Sequence, residues 1–404
     1  MGQVIVDYFK DGTEFGVNID YFFETEPLGN AGALFRLREE INNSKDDSFL
    51  LLNADALFDV DFNRMVQAHR SKDALVTLFT HPNSHPYDSG IIMAGEGGQV
   101  DKWLTKEDAR PEYYKNRVNA GLHIISASVI DDYMKVLPSE NVVSVDNAGV
   151  KQDRTALVPV GKVDLDRMIL KPLAGTGKMY AYDSPEYVKD MGTPERYYAV
   201  SKDWESGIVK EKNLLHKQKA IFLDRDGTIN KYVGFLRDIA QFDLLPGVVD
   251  AIKKINSSGY LAIVVTNQPV IARGEVTAEE LQNIHNKMET LLGLEGAYLD
   301  AIYFCPHHPH RGYEGEIPEL KIDCECRKPK PGLLIKAAEE FNIDLSQSWM
   351  VGDSGNDIEA GVAAGCMTGY LKREDDEVIA DVAGNTLDEI ISKILTKDST
   401  EENT

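Results

Sequence analysis

A chain of 404 residues is long enough for two or three domains with sizeable cores. Its 66 Asp and Glu against 43 Lys and Arg give a formal charge of -23, and no basic run interrupts that balance, which argues against nucleic acid as a partner. No apolar run approaches the roughly 18 residues of a membrane span, and Met1-Gly2-Gln3-Val4 lacks the basic start and apolar core of a signal peptide, so a cytoplasmic protein without membrane association is expected.

Taken in order, residues 3–9 read as an extended segment before the turn signal Asp11-Gly12. Residues 49–52 read as a buried strand running into Asn53-Ala54-Asp55, residues 61–71 as a helix, and residues 75–80 and 118–126 as further strands. Strand, helix and strand in succession imply a parallel sheet and an α/β fold.

Four motifs in order, Glu26-Pro27-Leu28-Gly29-Asn30-Ala31-Gly32-Ala33-Leu34, Asn53-Ala54-Asp55, Asn119-Ala120-Gly121 and Tyr187-Val188-Lys189-Asp190-Met191-Gly192-Thr193-Pro194, resemble the sugar-1-phosphate nucleotidyltransferases. The resemblance implies that Asp55 and Asp190 hold a magnesium ion bridging nucleotide phosphates, and that Gly29 lies near the base; two carboxylates on a hard cation suit phosphoryl chemistry. An ordinary strand-end or turn acid is the alternative for each. Asn30 stands where that family usually carries Thr. The family also opens with a first strand and a Gly-rich, Arg-containing phosphate loop, for which nothing before Gln3 provides. Weak or no nucleotidyl transfer is therefore expected, with a sheet edge or gap in this half.

The charged stretch 202–218 reads as helix and linker, with the division near residue 212. The expected organisation is a nucleotidyltransferase-like domain over residues 1–205, a linker over 206–217, a second α/β domain over 218–395 and a polar tail over 396–404. Both domains are expected to be doubly wound and three-layered.

The second half opens on Lys219-Ala220-Ile221-Phe222-Leu223-Asp224-Arg225-Asp226-Gly227-Thr228. Residues 220–223 lack polar alternation, as a strand covered on both faces does, and ligands bind at the carboxyl ends of such strands. Asp224 and Asp226 stand at that end, and Gly227-Thr228 breaks the strand so that a turn aims both carboxylates at one phosphate. A strand followed by a plain Asp-Gly turn is the alternative. Residues 248–257 form an amphipathic helical pattern, residues 261–265 a second buried strand ending at Thr266-Asn267-Gln268, residues 332–341 a helix, and residues 349–351 a short strand before Gly352-Asp353-Ser354-Gly355-Asn356-Asp357. Three strands thus end in groups suited to phosphate and metal.

This ordered set resembles the haloacid dehalogenase superfamily of phosphohydrolases, with Asp224 to Thr228 as its first motif, Thr266-Asn267 its second, Lys328 its third, and Asp353 with Asp357 its fourth. The resemblance implies a Rossmann-like fold and an aspartyl-phosphate mechanism with Asp224 as nucleophile and Asp226 as acid and base. It places Thr266, Asn267 and Lys328 on the transferring phosphoryl group, Arg327 on the substrate, and Mg2+ on Asp224, the backbone carbonyl of Asp226, and Asp353. Lys330 is a rival for Lys328.

Cys305, His307, Cys324 and Cys326 form a Cys-x-His pair and a Cys-x-Cys pair, sufficient for a closed tetrahedral zinc site; His308 and His310 are alternatives to His307. Their spacing resembles the zinc loop of heptose bisphosphate phosphatases and the related histidinol phosphatases. Residues 266–274 depart from the heptose enzymes, which carry Ser-Gly where Pro269-Val270 stand. Cys366 reads as a small buried apolar residue. The expected activity is hydrolysis of the C7 phosphate of D-glycero-D-manno-heptose 1,7-bisphosphate to heptose 1-phosphate. Histidinol phosphatase, or a bifunctional enzyme with guanylyltransferase activity and a nucleotide at the first domain, are the alternatives.

Overall fold

The computed structural model describes residues 2–24, 27–42, 47–146, 155–372 and 378–401, so Glu26 of the first motif and residues 402–404 of the expected tail lie outside the described residues. The strands are β1 (Ser48–Leu52), β2 (Ala56–Asp59), β3 (Val76–His81), β4 (Ile91–Ala94), β5 (Val100–Leu104), β6 (Val118–Ser126), β7 (Val142–Asp146), β8 (Thr155–Pro159), β9 (Met179–Asp183) and β10 (Tyr187–Asp190) in the first half. The second half holds β11 (Lys219–Leu223), β12 (Tyr260–Asn267), β13 (Ala301–Cys305), β14 (Trp349–Gly352), β15 (Met367–Leu371) and β16 (Val382–Gly384).

The first-half sheet is mixed. β6 lies between β1 and β3 and runs antiparallel to both, while β3 pairs parallel with β9. β1 and β3 thus share a direction, as the strand, helix and strand order requires, but the parallel sheet expected there is interrupted by a strand from further along the chain. β1 was expected to be buried; instead, among the described residues, it pairs only with β6 and leaves Leu50 and Leu52 exposed, so this sheet has an edge at β1. Residues 3–9, expected to be extended, form the helix Gly2–Phe9, because no described strand pairs with them and a helix satisfies their backbone groups locally. The helix Phe62–Ser71 forms as expected, with the Asp61 carboxylate accepting from Asn63 N at its start.

The second half is a six-strand parallel sheet in the order β13-β12-β11-β14-β15-β16. Ile221 and Leu223 face one core with Ala262, Val264, Trp349 and Val351, and Ala220 and Phe222 face the other with Leu261, Ile263 and Met350. Helices cover both faces. That two-sided burial explains why these strands carry no polar alternation. The last helix, Leu387–Glu401, continues into the stretch expected to be a tail.

The segment between the halves is packed rather than loose. The Asn213 amide donates to Asp59 Oδ1 at 2.6 Å, and Leu214 N to Glu186 Oε1 at 3.1 Å. Further out, the helix Ala278–Leu294 docks on the first half. Thr290 Oγ1 accepts from Tyr114 N and donates to its carbonyl, and a Cβ on Gly293 would come within 2.7 Å of Pro86 Cγ, so only glycine permits this approach. Arg117 is buried between the halves: Nε meets Asp183 Oδ2 at 2.5 Å, Nη1 meets Glu289 Oε1 at 3.1 Å, and Nη2 donates to Asp300 O at 2.8 Å. Replacing Arg117 by Met strands Glu289, whose side chain is only 1 % exposed, without its cation. Such a loss costs on the order of 3–5 kcal/mol. A lowered melting temperature is the expected result, and an unchanged one would show that this cluster does not hold the halves together.

Candidate active site

Three adjacent strands of the parallel sheet deliver the second-half site. β11 ends at Leu223, directly before Asp224; β14 ends at Gly352, directly before Asp353; and β12 carries Thr266 and Asn267 at its end. Gly352 is needed there, since a Cβ would fall 2.3 Å from the Asp357 carboxyl group. Asp224, Asp353 and Asp357 are all buried and offer carboxylate oxygens within 4.8 Å of one another, a donor set suited to a hard divalent cation. Asp357 thus joins Asp224 and Asp353, a place the sequence did not assign to it. The Asp226 side chain is not in this group, so only its backbone carbonyl remains for the metal role expected of it.

Lys328, not its rival Lys330, enters the site. Its ammonium reaches Asp224 Oδ1 and Asp357 Oδ1, each at 2.6 Å, and donates to Val265 O at 2.7 Å. Lys330 pairs instead with Asp323 and Glu325 near the surface. Burial pushes the Lys328 amine down, but Asp224 and Asp357 more than reverse it and keep the ammonium charged. For Asp224 the balance differs: burial raises its carboxyl, Asp357 and Asp226 add to this, and Lys328 offsets only part, leaving it at about 7.

Asp226 is held by three donors. Arg225 Nη2 donates to Oδ2 at 2.8 Å, Gln268 Nε2 to Oδ2 at 2.8 Å, and Asn230 Nδ2 to Oδ1 at 3.1 Å. Arg225 also donates from Nη1 to His285 Nε2 at 3.2 Å. Gln268 further reaches Thr266 Oγ1 at 2.9 Å. Sequence reasoning passed over Arg225, Asn230, Gln268 and His285. The signal for Gln268 was its spacing of two from Thr266, which keeps both side chains on one face of an extended strand end; nothing comparable pointed to His285. Asn267, expected on the phosphoryl group, brackets the Lys328 backbone instead, donating to its carbonyl at 3.0 Å and accepting from its amide at 3.1 Å. The Asn267 Oδ1 and one of its two N–H groups thus position Lys328.

Beside this site, Cys305, His307, Cys324 and Cys326 converge with ligand atoms within 4.8 Å. Sulfur separations are 3.5 Å for Cys305 to Cys324 and 3.2 Å for both Cys305 to Cys326 and Cys324 to Cys326, with His307 Nδ1 3.2 Å from Cys326 Sγ. Zinc–sulfur bonds of about 2.3 Å in a tetrahedron give separations of about 3.8 Å, so small adjustments close the site. His308 Nδ1 accepts from His310 N, and neither ring joins the cluster. Arg327 and Lys328 follow Cys326 directly, and Arg327 donates to His307 O at 3.3 Å. Cys366 is buried in the second-half core and is not among the four converging residues.

In the first half, β10 pairs with β2 so that Asp190 opposes Ala56, and Met191 N donates to Asp55 O at 2.7 Å. Asp55 and Asp190 therefore lie side by side, both exposed, with Asp190 bound to Arg196 at 2.6 Å. Gly121, at φ +74°, is required because a Cβ there would come within 2.3 Å of Asn53 Nδ2; the Asn53 and Asn119 motifs meet through it. Gly29 does not line this site. It packs on the Val163 backbone, where a Cβ would lie 2.4 Å from Val163 O.

Residues 3–207 match the nucleotidyl transferase family and residues 170–365 the haloacid dehalogenase-like hydrolases. The D-glycero-beta-D-manno-heptose-1,7-bisphosphate 7-phosphatase of Yersinia pestis is 44 % identical over 162 residues, covering 40 % of this chain and 84 % of that protein. The phosphatase of the same name from Escherichia coli K12 is 39 % identical over 175 residues, covering 43 % and 89 %. Among solved structures, D,D-heptose 1,7-bisphosphate phosphatase from B. bronchiseptica, complexed with magnesium and phosphate, aligns at 30 % identity with a TM-score of 0.39, covering 45 % of this chain and 99 % of that one. No helix among the described residues is long and apolar enough to cross a membrane. With strand-end carboxylates, buried lysine and family matches in agreement, the chain belongs to the haloacid dehalogenase-like hydrolases through its second half and to the nucleotidyl transferases through its first.

Proposed function

We propose that the second half, over residues 218–395, removes the C7 phosphate of D-glycero-D-manno-heptose 1,7-bisphosphate and leaves heptose 1-phosphate, in the cytoplasm and on a path to nucleotide-activated heptose. The observation that carries this is the meeting of Asp224, Asp226, Thr266 and Lys328 at the ends of β11 and β12 and in the loop after Cys326, in a chain that covers most of the named phosphatases. The Asp224 carboxylate attacks phosphorus while Asp226 protonates the leaving C7 oxygen; water then attacks the aspartyl phosphate and gives its proton to Asp226, releasing inorganic phosphate. Lys328 and Thr266 hold the phosphoryl oxygens, and the grip of Arg225, Asn230 and Gln268 keeps Asp226 aimed. Asn267 serves by fixing Lys328, and Arg327 reaches the far end of the substrate, where its planar fork suits a second phosphate. Asp224, Asp353 and the Asp226 carbonyl would hold Mg2+, which when bound would screen the like charges of nucleophile and substrate.

The set of Cys305, His307, Cys324 and Cys326 is proposed to hold structural Zn2+. Burial pushes the Cys305 and Cys326 thiols up, and a divalent cation would reverse this and release their protons. A second reading, heptose-1-phosphate guanylyltransferase activity in the first half with a metal on Asp55 and Asp190, is favoured by their juxtaposition beside Asn53 and Asn119.

Phosphate release by the purified protein with magnesium, offered heptose 1,7-bisphosphate and histidinol phosphate in parallel, tests the main reading. A preference for the heptose of at least about a hundredfold in kcat/KM is expected, the size a site built for a second charged group can impose. Preference for histidinol phosphate would overturn the substrate and leave the catalytic residues in place.

A further inference from the structure

A cavity of about 730 Å³ opens over the first-half site, within the usual range for small-molecule pockets. Asn53, Asp55, Asn119 and Asp190 line it, together with Asp166 and Arg196. Its wall does not stop at the first half. Lys212, from the segment joining the halves, and Tyr298 and Asp300, from the turn that leads into β13, close it as well.

This second-half wall is fixed in place. Asp300 Oδ2 accepts from Ala262 N at 2.7 Å, its carbonyl accepts from Arg117 Nη2 at 2.8 Å, and Tyr298 is anchored through both backbone groups by the Asn256 amide at 3.0 Å. Lys212 faces the Tyr298 hydroxyl and the Asp300 carboxylate; burial pushes its amine down, but these neighbours outweigh it and the ammonium stays charged. Arg196, also in the lining, is already committed to Asp190. Asp166 makes no side-chain hydrogen bond or ion pair among the described residues, and burial, aided by Asp164, raises its carboxyl to about 6. The lining therefore offers a charged ammonium together with carboxylate and amide groups, between apolar surfaces of comparable extent such as those of Val118, Val188 and Val200. A polyhydroxylated molecule bearing one phosphoryl group matches that distribution, its phosphate meeting the ammonium and its hydroxyls donating to carboxylates.

We infer that the hydrolase half completes the ligand site of the first half, with Lys212 and Tyr298 binding the phosphoryl end of a sugar monophosphate held in the cavity and Asp300 holding the Lys212 ammonium in place. This rests on the first half keeping a nucleotidyl transferase-type pocket; it does not depend on hydrolysis in the second half. None of the three residues touches the groups around Asp224, so binding here and turnover there are separable.

The test is calorimetric titration of the full chain with heptose 1-phosphate, the hydrolase site being filled beforehand with magnesium and orthovanadate. Lys212→Met is expected to weaken binding at least tenfold and Lys212→Arg to restore most of it, while kcat/KM on heptose 1,7-bisphosphate stays within about twofold of the parent. Tyr298→Phe, which removes one hydroxyl and keeps the ring, is expected to weaken binding severalfold and decides the matter if Lys212→Met does not fold. No binding by the parent chain, or equal affinity in Lys212→Met or in Tyr298→Phe, would overturn the inference. A chain that binds the sugar monophosphate yet hydrolyses neither phosphate ester would sink the hydrolase reading and leave this one standing.

Discussion

Asp224→Asn is expected to lower phosphate release on the order of a thousandfold or more, because the amide cannot form the aspartyl phosphate. The same change should stabilise the protein at alkaline pH when divalent cations are absent. Asp224 titrates at about 7 in the folded chain, raised first by burial, so the unfolded chain ionises it earlier as pH rises. Its contribution to stability is complete in acid and lost as pH climbs through 7. Without magnesium, the variant should therefore melt above the parent at pH 8 and converge with it near pH 4. Lys328 keeps its partner Asp357 in the variant, so no buried cation is stranded. Magnesium should reverse the order at pH 8 by stabilising the parent more. Normal turnover in Asp224→Asn would refute the nucleophile assignment.

Cys326→Ser should produce the second large effect. Loss of one thiolate from the four-donor cluster is expected to reduce bound zinc from about one equivalent to well under half, measured by elemental analysis, and to cost several kcal/mol of stability in this region. Turnover should fall too, because Arg327 and Lys328 follow Cys326 directly and take their place from it. Cys366→Ser is the comparison, since Cys366 shares the core behind the cluster but offers it no ligand atom, and its replacement should leave zinc content unchanged. Protein that purifies free of zinc and fully active would show that the cluster needs no metal.

The second half was legible in the sequence because its signals are local. Unbroken apolar runs at residues 220–223 and 261–265 mark strands covered on both faces, and each runs straight into its functional group. Cysteine spacing likewise announced a cluster that folds together. Asn267 carries a role that the sequence could not show: an amide at a phosphate-facing strand end reads as a ligand, and only the loop returning 61 residues later shows that it also holds the Lys328 backbone. The first half was harder. The antiparallel β6 inserts between β1 and β3 from a distant part of the chain, and no local pattern reveals that. The helix at Gly2–Phe9 was read as extended because Val4, Ile5 and Val6 favour strands only when a neighbouring strand is available. Nor could spacing suggest that Lys212, Tyr298 and Asp300 share a wall with Asn53.

The helix Ala278–Leu294 carries a consequence for traffic between the halves. It presents Glu289 and Thr290 to the first half and, one turn earlier, His285 to Arg225 beside the hydrolytic centre. Contact with the first half and contact with the group that steadies Asp226 thus lie one turn apart on a single helix. A sugar phosphate released by one half and bound by the other would pass by diffusion, its capture set by local concentration and surface charge.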